Sequence, residues 1–323
     1  MKVLVTGNLG YIGPVLASAL TRAGHEVHGY DSALFSSFAT HSLPAIAGQT
    51  IADLRDTRSL RYAMQRCDAV IHLAAMSNDP LGEFDGDLTR QVNLDATVAA
   101  LEMAGDRPLV LYSSASVYGQ SATICDETAL VNPLTLYSQL KVAAERVALR
   151  RPNALVLRNG TVHGPAPVLR GDLLLNAMVA AAMTTGEIVL TTTPETMRPI
   201  VDVRDLAALT VGLLERGVTG LYNSAATNLS VGEAAALVAR ITSSRVIERH
   251  DGADPRNYSM DTRKLERIVN TWWHPRPLEE SVSDLMLHYR QCKLTASDVT
   301  SRRYHRIVQY RTRRALTQAT AAK

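Results

Sequence analysis

Tyr137 and Lys141 stand four residues apart at the start of a predicted helix, so both side chains project from one helical face. An ammonium group beside a phenol favours the phenolate, which lowers the phenol pKa from about 10 towards the working range of a base. Ser114 follows a predicted buried strand, where parallel sheets place their ligands, and its hydroxyl can hydrogen-bond the oxygen that Tyr137 deprotonates. The three residues predict proton removal from a substrate hydroxyl. The alternatives are a surface tyrosine with a solvated lysine and an ordinary turn serine.

A glycine turn near the N-terminus predicts a phosphate site. Residues 3–5 form a short apolar run typical of a buried strand, and Gly7, Gly10 and Gly13 follow at three-residue intervals before an apolar-periodic helix. A strand, a glycine turn and a helix place a pyrophosphate against free backbone N–H groups and the helix dipole. Glycine is required because a Cβ would block the tight turn and the close approach of the ligand. The alternative is a glycine-rich surface turn.

Asp31 closes the second predicted strand, residues 25–30, and lies about 18 residues beyond Gly13. A carboxylate at this spacing receives the adenosine ribose hydroxyls and repels a 2′-phosphate. The sequence therefore favours NAD over NADP. The alternative is an aspartate that only ends a strand and forms a turn.

Strands alternate with helices through the first half of the chain. Predicted strands near residues 51–54, 69–73, 109–112 and 154–157 are separated by helical segments that include 89–104 and 136–149, with a polar loop at 76–88. This alternation predicts an α/β fold, a doubly wound parallel sheet (Rossmann) with a smaller interleaved substrate-binding α/β cap. We assign residues 1–161 and 205–225 to the NAD-binding domain, 162–204 and 226–290 to the cap, and 291–323 to a basic C-terminal tail.

Composition narrows the class of protein. The chain has 323 residues, 46% hydrophobic and 20% charged, as in ordinary soluble globular proteins. Three cysteines without paired spacing argue against a disulfide framework or a zinc site, so we expect no metal and a reducing cytoplasm. We find no signal-peptide pattern and no apolar run long enough to span a bilayer, so we expect no membrane partner.

The net charge of +3 comes from the tail. Residues 291–323 carry eight Lys or Arg against one Asp, which leaves the rest of the chain at −4. We therefore expect no nucleic-acid partner, because such binding would depend on the tail alone. The tail has loosely helical apolar spacing among its arginines, and we expect a solvated or partner-packed helix.

With these motifs in order, the sequence resembles the extended short-chain dehydrogenase/reductases, in particular the NAD-dependent sugar-nucleotide epimerase/dehydratase group. The resemblance covers most of residues 1–290. It is carried by TGNLGYIG (6–13), Asp31, DL (53–54), HLAA (72–75), Asn93, SSASVYG (113–119), YSQLK (137–141), LRNGTVHGP (157–165), RPIVDVRD (198–205), YN (222–223) and DPR (254–256).

The resemblance implies roles for the matching positions. Tyr137 would be the catalytic base, Lys141 would hold the nicotinamide ribose and tune Tyr137, and Ser114 would orient the substrate oxygen. Asn93 would help to fix the nearby backbone, and two arginines would grip the nucleotide diphosphate. The implied cofactor-binding residues are Gly7, Gly10, Tyr11, Ile12, Gly13, Asp31, Asp53, Leu54, Leu73, Ala74, Ala75, Asn93, Tyr137 and Lys141. The implied substrate-binding residues are Met76, Ser114, Ser116, Thr161, Asn176, Arg198 and Arg256.

Departures from the family pattern bear on the reaction. The 4,6-dehydratases carry an Asp-Glu pair just after the active-site hydroxyl residue, where this chain has Ala115 and Ser116, so classical dehydration is disfavoured. The residue often found as Asn before the YGP motif is Thr161, and the tyrosine of that motif is His163, either a site residue or a satisfied structural histidine. Asp79 is a candidate second acid or a helix-capping residue.

We predict an NAD-dependent epimerase of a nucleotide-linked sugar, acting through a transient 4-keto intermediate. A non-classical dehydratase or a 4-ketoreductase is the alternative, and a catalytically silent NAD-binding protein is a third hypothesis of a different class. The family resemblance also implies a homodimer formed through helices that match residues 89–104 and 136–149.

Overall fold

The computed structural model describes residues 1–249 and 254–321, and residues 316–321 by their backbone alone. The strands are β1 (Lys2–Thr6), β2 (Glu26–Asp31), β3 (Gly48–Ile51), β4 (Ala69–His72), β5 (Leu109–Ser114), β6 (Gln120–Cys125), β7 (Ala154–Asn159), β8 (Thr161–His163), β9 (Glu187–Leu190), β10 (Met197–Asp202), β11 (Gly220–Ser224), β12 (Thr227–Ser230), β13 (Arg245–Glu248) and β14 (Asn257–Met260). The helices are α1 (Gly13–Arg22), α2 (Thr57–Gln65), α3 (Asp79–Phe84), α4 (Gly86–Arg90), α5 (Thr97–Met103), α6 (Leu136–Ala148), α7 (Leu174–Thr185), α8 (Val203–Glu215), α9 (Val231–Thr242), α10 (Arg263–Val269), α11 (Leu278–Gln291), α12 (Ala296–Thr300) and α13 (Arg306–Ala321).

A seven-stranded sheet forms the centre of the described chain, with strand order β11-β7-β5-β4-β1-β2-β3. Every neighbouring pair in it is parallel. Alternate side chains of β1 supply both faces: Val3 and Val5 pack with Leu16 of α1, whereas Leu4 packs with Leu60 of α2. Burial on both faces explains the continuous apolar run of this strand. The predicted doubly wound parallel sheet is confirmed.

Smaller sheets lie beside this core. Strand β10 pairs with β8 in parallel and with β12 in the antiparallel direction, while β9 pairs with β13 and β6 with β14. Helices α7, α9 and α11 share a separate apolar core that includes Val179, Val238 and Leu285. The division of the chain into an NAD-binding domain and a cap stays a prediction.

The predicted polar loop at residues 76–88 is wrong, because α3 and α4 occupy most of it. Asn78 Oδ1 accepts a hydrogen bond from the Leu81 N–H at 2.9 Å, and Asp85 Oδ1 accepts one from the Leu88 N–H at 3.3 Å. Each polar side chain therefore caps a short helix. The predicted helix at 89–104 is divided as well, with a π-helical segment, Gln91–Ala96, between α4 and α5.

The tail does not extend away from the chain. Helix α13 returns to α3, where the Tyr310 hydroxyl donates to Asp85 Oδ2 at 2.7 Å and the Tyr310 ring contacts Phe84 edge-on at 6.2 Å between centroids. Tyr310 is buried. The expectation of a solvated or partner-packed helix is thus wrong for the first turns of α13, since their apolar and aromatic side chains pack within this chain.

No helix among the described residues combines the length and the apolar composition needed to cross a membrane.

Candidate active site

A cleft of about 910 Å³ opens at the carboxyl edge of the central sheet. The strands that end there lead into the glycine turn after β1, residues 73–76 after β4 and Ser114 at the end of β5. Parallel strands bring such segments together because all their carboxyl ends meet at one edge. The cleft therefore joins the predicted phosphate turn to the predicted proton-transfer residues.

The glycine turn is closed against the segment that follows β4. Gly7 has φ +75°, and a Cβ there would lie 2.7 Å from the Ala74 backbone nitrogen. A Cβ on Gly13 would lie 2.4 Å from Asn8 Cα. Only glycine fits either position, and the backbone of the turn consequently faces the cleft. Gly7, Gly10, Tyr11, Ile12 and Gly13 all line the cleft, and their role as a phosphate cradle stays a prediction.

The Asp31 carboxylate links the glycine turn to the segment that follows β2. Its Oδ2 accepts from the Leu9 N–H at 3.0 Å and its Oδ1 from the Ala33 N–H at 2.8 Å. Burial raises the pKa of Asp31, and these two hydrogen bonds oppose the increase. Asp53, also in the cleft, forms an ion pair with Arg55 at 2.8 Å, whose hydrogen bonds lower the pKa of Asp53.

Most other predicted cofactor residues form the wall of the cleft. These are Leu54, Leu73, Ala74 and Ala75. Asn93 does not line the cleft; it is buried, and its side chain accepts from the Met76 N–H at 2.7 Å and donates to the Met76 carbonyl at 3.0 Å. Asn93 therefore acts on the cleft through the backbone of Met76, which itself lines it.

Helix α6 positions Tyr137 and Lys141, the predicted catalytic pair. Thr135 and Ser138 form a capping box, in which Thr135 Oγ1 accepts from the Ser138 N–H at 3.2 Å and Ser138 Oγ accepts from the Thr135 N–H at 3.1 Å. The capped first turn carries Tyr137 into the cleft, and Lys141 follows one turn later. Lys141 Nζ lies 5.7 Å from the centroid of the Tyr137 ring and donates to the Tyr112 carbonyl at 2.7 Å.

The pKa of Tyr137 does not move in the predicted direction. Burial raises it well above its ordinary value, and the nearby Asp79 carboxylate adds to the increase, while Arg170 and a hydrogen bond with Ser114 oppose it. The expected lowering of the Tyr137 pKa is wrong for the protein chain alone, because desolvation of the phenolate is the largest effect on it. Burial also lowers the pKa of Lys141 to about 8, against an opposing effect of Glu145.

Ser114 and Ser116 form a hydroxyl pair in the cleft. Ser114 Oγ accepts from the Ser116 hydroxyl at 2.9 Å and from the Ser116 N–H at 3.2 Å. The second serine thereby fixes the first. Ala115 lies between them and is buried. Neither Ala115 nor Ser116 ionises, so no ionisable side chain follows Ser114 directly.

The two predicted diphosphate arginines are brought together by one carboxylate. Asp254 accepts from Arg198 Nη2 at 2.8 Å and from Arg256 Nη2 at 2.6 Å. Arg256 also pairs with Asp79, whose other oxygen accepts from Thr135 Oγ1 at 2.5 Å. Both arginines line the cleft, and their contact with a diphosphate stays a prediction. Sequence reasoning quoted Asp254 only as part of a motif and missed that it occupies both guanidinium groups.

Asn176 is not a cleft residue, contrary to expectation. It is fully buried: its Oδ1 accepts from the Gly164 N–H at 3.0 Å, and its Nδ2 donates to the Tyr11 hydroxyl at 3.2 Å and to the Arg170 carbonyl at 3.0 Å. These three hydrogen bonds hold the Asn176 side chain within the fold. Thr161, by contrast, lines the cleft, and its role in substrate binding stays a prediction.

His163 is buried and does not line the cleft. Burial lowers its pKa to about 4, against opposing effects of Asp202 and Asp205. His163 is therefore structural by position.

The cleft also contains side chains that sequence reasoning missed. Arg170 pairs with Asp172 at 2.9 Å, and Asp172 accepts from Asn78 Nδ2 at 2.5 Å. No local motif marks these residues. Arg306 and Tyr310 line the cleft from α13, and the only signal for them was the arginine-rich tail.

One group of metal-capable side chains occurs among the described residues, His41, His288 and Cys292, with ligand atoms within 4.8 Å of one another. None of the three lines the cleft.

The comparisons with known proteins identify the family and agree with the fold. The family model of the NAD dependent epimerase/dehydratase family matches residues 3–225. A UDP-glucose 4-epimerase from Lactobacillus helveticus is 27% identical over 88% of this chain and 95% of its own length. D-erythronate dehydrogenase from Cupriavidus necator is 29% identical over 84% of this chain and 89% of its own length. A structure of MoeE5 in complex with UDP-glucose and NAD is 26% identical, with a TM-score of 0.75 over 90% of this chain and 99% of that one.

Proposed function

The chain belongs to the NAD dependent epimerase/dehydratase family, and from this membership we propose that it epimerises a nucleotide-linked sugar at C4. The observation that carries the proposal is the arrangement of Ser114, Tyr137 and Lys141 in the same cleft that the glycine turn lines. A base, an orienting hydroxyl and an ammonium group beside a dinucleotide site are the groups that oxidation of a sugar hydroxyl requires.

The cleft fits NAD. The turn at Gly7 and Gly13 leaves no space for a Cβ, so backbone N–H groups and the start of α1 are available to a pyrophosphate. Asp31 and Asp53 offer carboxylate oxygens near the predicted adenosine end, and a carboxylate at residue 31 disfavours a 2′-phosphate. When bound, NAD supplies a reversible hydride acceptor.

In the proposed reaction, Tyr137 takes the proton of the C4 hydroxyl and Ser114 hydrogen-bonds the same oxygen. Lys141 is protonated at neutral pH because its pKa is about 8, and its charge favours the phenolate over the neutral phenol. The resulting 4-keto sugar turns within the cleft and is reduced on its opposite face. Tyr137 then returns the proton, so the reaction has no net redox change.

The residues beside Ser114 favour epimerisation over elimination of water. Elimination needs an acid and a base near the sugar, and neither Ala115 nor Ser116 ionises. The cleft carboxylate of Asp79 is engaged by Arg256 and Thr135. The dehydratase alternative therefore lacks its proton donor at the usual position.

A second candidate is NAD-dependent oxidation of a small polyhydroxy acid. The likeness to D-erythronate dehydrogenase extends over 84% of the chain. In addition, Asp254 already neutralises Arg198 and Arg256, so a nucleotide diphosphate must compete with an internal carboxylate for both. A smaller substrate without a diphosphate does not have to displace Asp254 from the two arginines.

One experiment separates the candidates. Purified protein is incubated with a panel of UDP- and dTDP-sugars, and stereochemistry at C4 is followed by NMR. In parallel, aldonic acids and NAD are supplied, and NADH is followed by absorbance. Inversion without net NADH supports the epimerase, NADH formed only from an aldonic acid supports the dehydrogenase, and a product lighter by one water identifies a dehydratase. A matched Tyr137→Phe sample must lose whichever activity is found.

We also propose that the protein acts in a reducing cytoplasm as a homodimer. The three cysteines are unpaired, as a reducing compartment requires. The dimer would form through the helical segments 89–104 and 136–149, as the family resemblance implies. Light scattering coupled to size exclusion measures the oligomeric state directly.

A further inference from the structure

Arg306 is a buried cation without a counter-ion. Its side chain is 2% exposed, and no carboxylate of the described residues lies within salt-bridge distance of it. Its Nη1 donates to Gln309 Oε1 at 2.9 Å, a neutral acceptor, and its Nε has no hydrogen-bond partner. A buried guanidinium normally pairs with an anion, because desolvation of an unpaired charge is costly.

The guanidinium lies at the cofactor end of the cleft. It stacks on the Phe35 ring at 4.1 Å from the ring centroid, and both residues line the cleft. Tyr11, inside the glycine turn, and Asp31, beside it, both act electrostatically on the Arg306 guanidinium. Arg170 and Asp172 act on the same guanidinium. Burial lowers the pKa of Arg306 to about 9, so it remains charged at neutral pH.

The helix that carries Arg306 is held in place independently. Tyr310 and Arg314 both contact Asp85, at 2.7 and 3.2 Å, and Tyr310 packs on Phe84. These contacts dock α13 beside the cleft without the Arg306 side chain. The positive charge is therefore brought to the cleft by a segment that lies beyond the residues matched to the family.

We propose that Arg306 is a cofactor-binding residue that pairs with the diphosphate of NAD, and that α13 thereby closes the cleft over the bound dinucleotide. The diphosphate is the anionic part of NAD, and the glycine turn places it at the start of α1, beside Tyr11. A guanidinium with unused N–H donors suits phosphate oxygens. The cation that is unpaired in the chain alone gains its counter-ion on binding.

This inference rests on NAD occupying the cleft but not on the sugar reaction. The test uses the full chain stripped of nucleotide and measures the binding of NAD, ADP-ribose and adenosine by calorimetry. Arg306→Met should weaken NAD and ADP-ribose by the same factor, about 10- to 100-fold, and leave adenosine within about twofold. Arg306→Lys should fall between wild type and Arg306→Met.

Arg302→Met is the matched control, because it removes one exposed arginine four residues before Arg306 and outside the cleft. It should leave all three affinities unchanged. Wild-type protein provides a measurement that needs no variant: hydrogen exchange of residues 306–315 should slow with NAD and ADP-ribose but not with adenosine.

Unchanged NAD affinity in a folded Arg306→Met variant overturns the inference, as does an equal loss for adenosine, which would assign the residue a structural role. Absence of any change in hydrogen exchange overturns the closure by α13. A wild-type chain that binds no NAD refutes the cofactor assignment itself, so the two failures are distinguishable.

Discussion

Lys141 Nζ lies 5.7 Å from the centroid of the Tyr137 ring and 2.7 Å from the Tyr112 carbonyl oxygen. The ammonium group is therefore held between the end of β5 and the phenol, on a helix whose first turn is capped. This contact places the only basic side chain of the predicted Ser114, Tyr137 and Lys141 set where its charge can act on the phenolate.

Tyr137→Phe should reduce kcat by about 10²- to 10⁴-fold, the usual contribution of a positioned general base. The affinity for NAD should stay within about threefold, because the ring remains in place. Tyr62→Phe is the control, since it removes a hydroxyl from an exposed helical side chain away from the cleft. Steady-state kinetics and NAD titration check both variants. Undiminished turnover by Tyr137→Phe would exclude the mechanism.

Turnover should decline as the pH rises through about 8. The pKa of Lys141 is lowered to about 8, chiefly by burial, so its charge is present below that pH and lost above it. Loss of the charge removes the electrostatic support of the phenolate. Lys141→Arg, which keeps its charge, should be slower overall but without this decline. The profile of kcat between pH 6 and 10 measures the effect, and a decline shared by both proteins would assign it to another group.

Glu145→Gln should lower the free energy of unfolding by about 3 kcal/mol or more, as expected when one partner of a buried ion pair is neutralised. Glu145 forms a buried ion pair with Arg158 at 2.8 Å and also accepts from the Ser113 hydroxyl, next to Ser114. Glu279→Gln, which breaks the exposed contact to Arg240, should change stability by less than about 1 kcal/mol. Urea unfolding compares the two variants, and equal effects would contradict the prediction.

Gly7→Ala should weaken NAD binding and destabilise the fold. The new Cβ meets the Ala74 nitrogen at 2.7 Å, and φ is +75°. Gly24→Ala provides the control, because φ is +82° there but nothing lies within 4 Å of the added Cβ. It should cost about 1 kcal/mol of stability and leave NAD affinity unchanged. If Gly7→Ala binds NAD like Gly24→Ala, the close approach at the turn is not needed by the cofactor.

Local patterns point to many of the residues that line the cleft, whose roles in binding and catalysis stay predictions. The spacing of Gly7, Gly10 and Gly13 after a buried strand, and of Tyr137 and Lys141 on one helical face, depends on neighbours a few residues away. Such spacings can be read from the sequence without knowledge of how the rest of the chain folds. The parallel sheet followed from alternating strands and helices for the same reason.

Other expectations failed, one because of long-range packing and one because of local helix capping. Asn176 has a side chain suited to a substrate, yet its neighbours Tyr11 and Gly164 take up its hydrogen bonds inside the fold. The capped helices α3 and α4 replaced a predicted loop because polar residues typical of loops are also good helix caps.

By itself, the sequence determined three features: the strand-turn-helix typical of a dinucleotide site, the acidic side chain of Asp31 after the second strand, and the tyrosine-lysine pair. Each depends only on residue type and short spacing. Only the tertiary structure decided how charge is distributed in the cleft. It sets Asp254 between Arg198 and Arg256, raises the pKa of Tyr137 by burying it, and brings Arg306 to the cofactor end of the cleft. Electrostatic energies depend on distance in space and on desolvation, and neither can be read from positions along the chain.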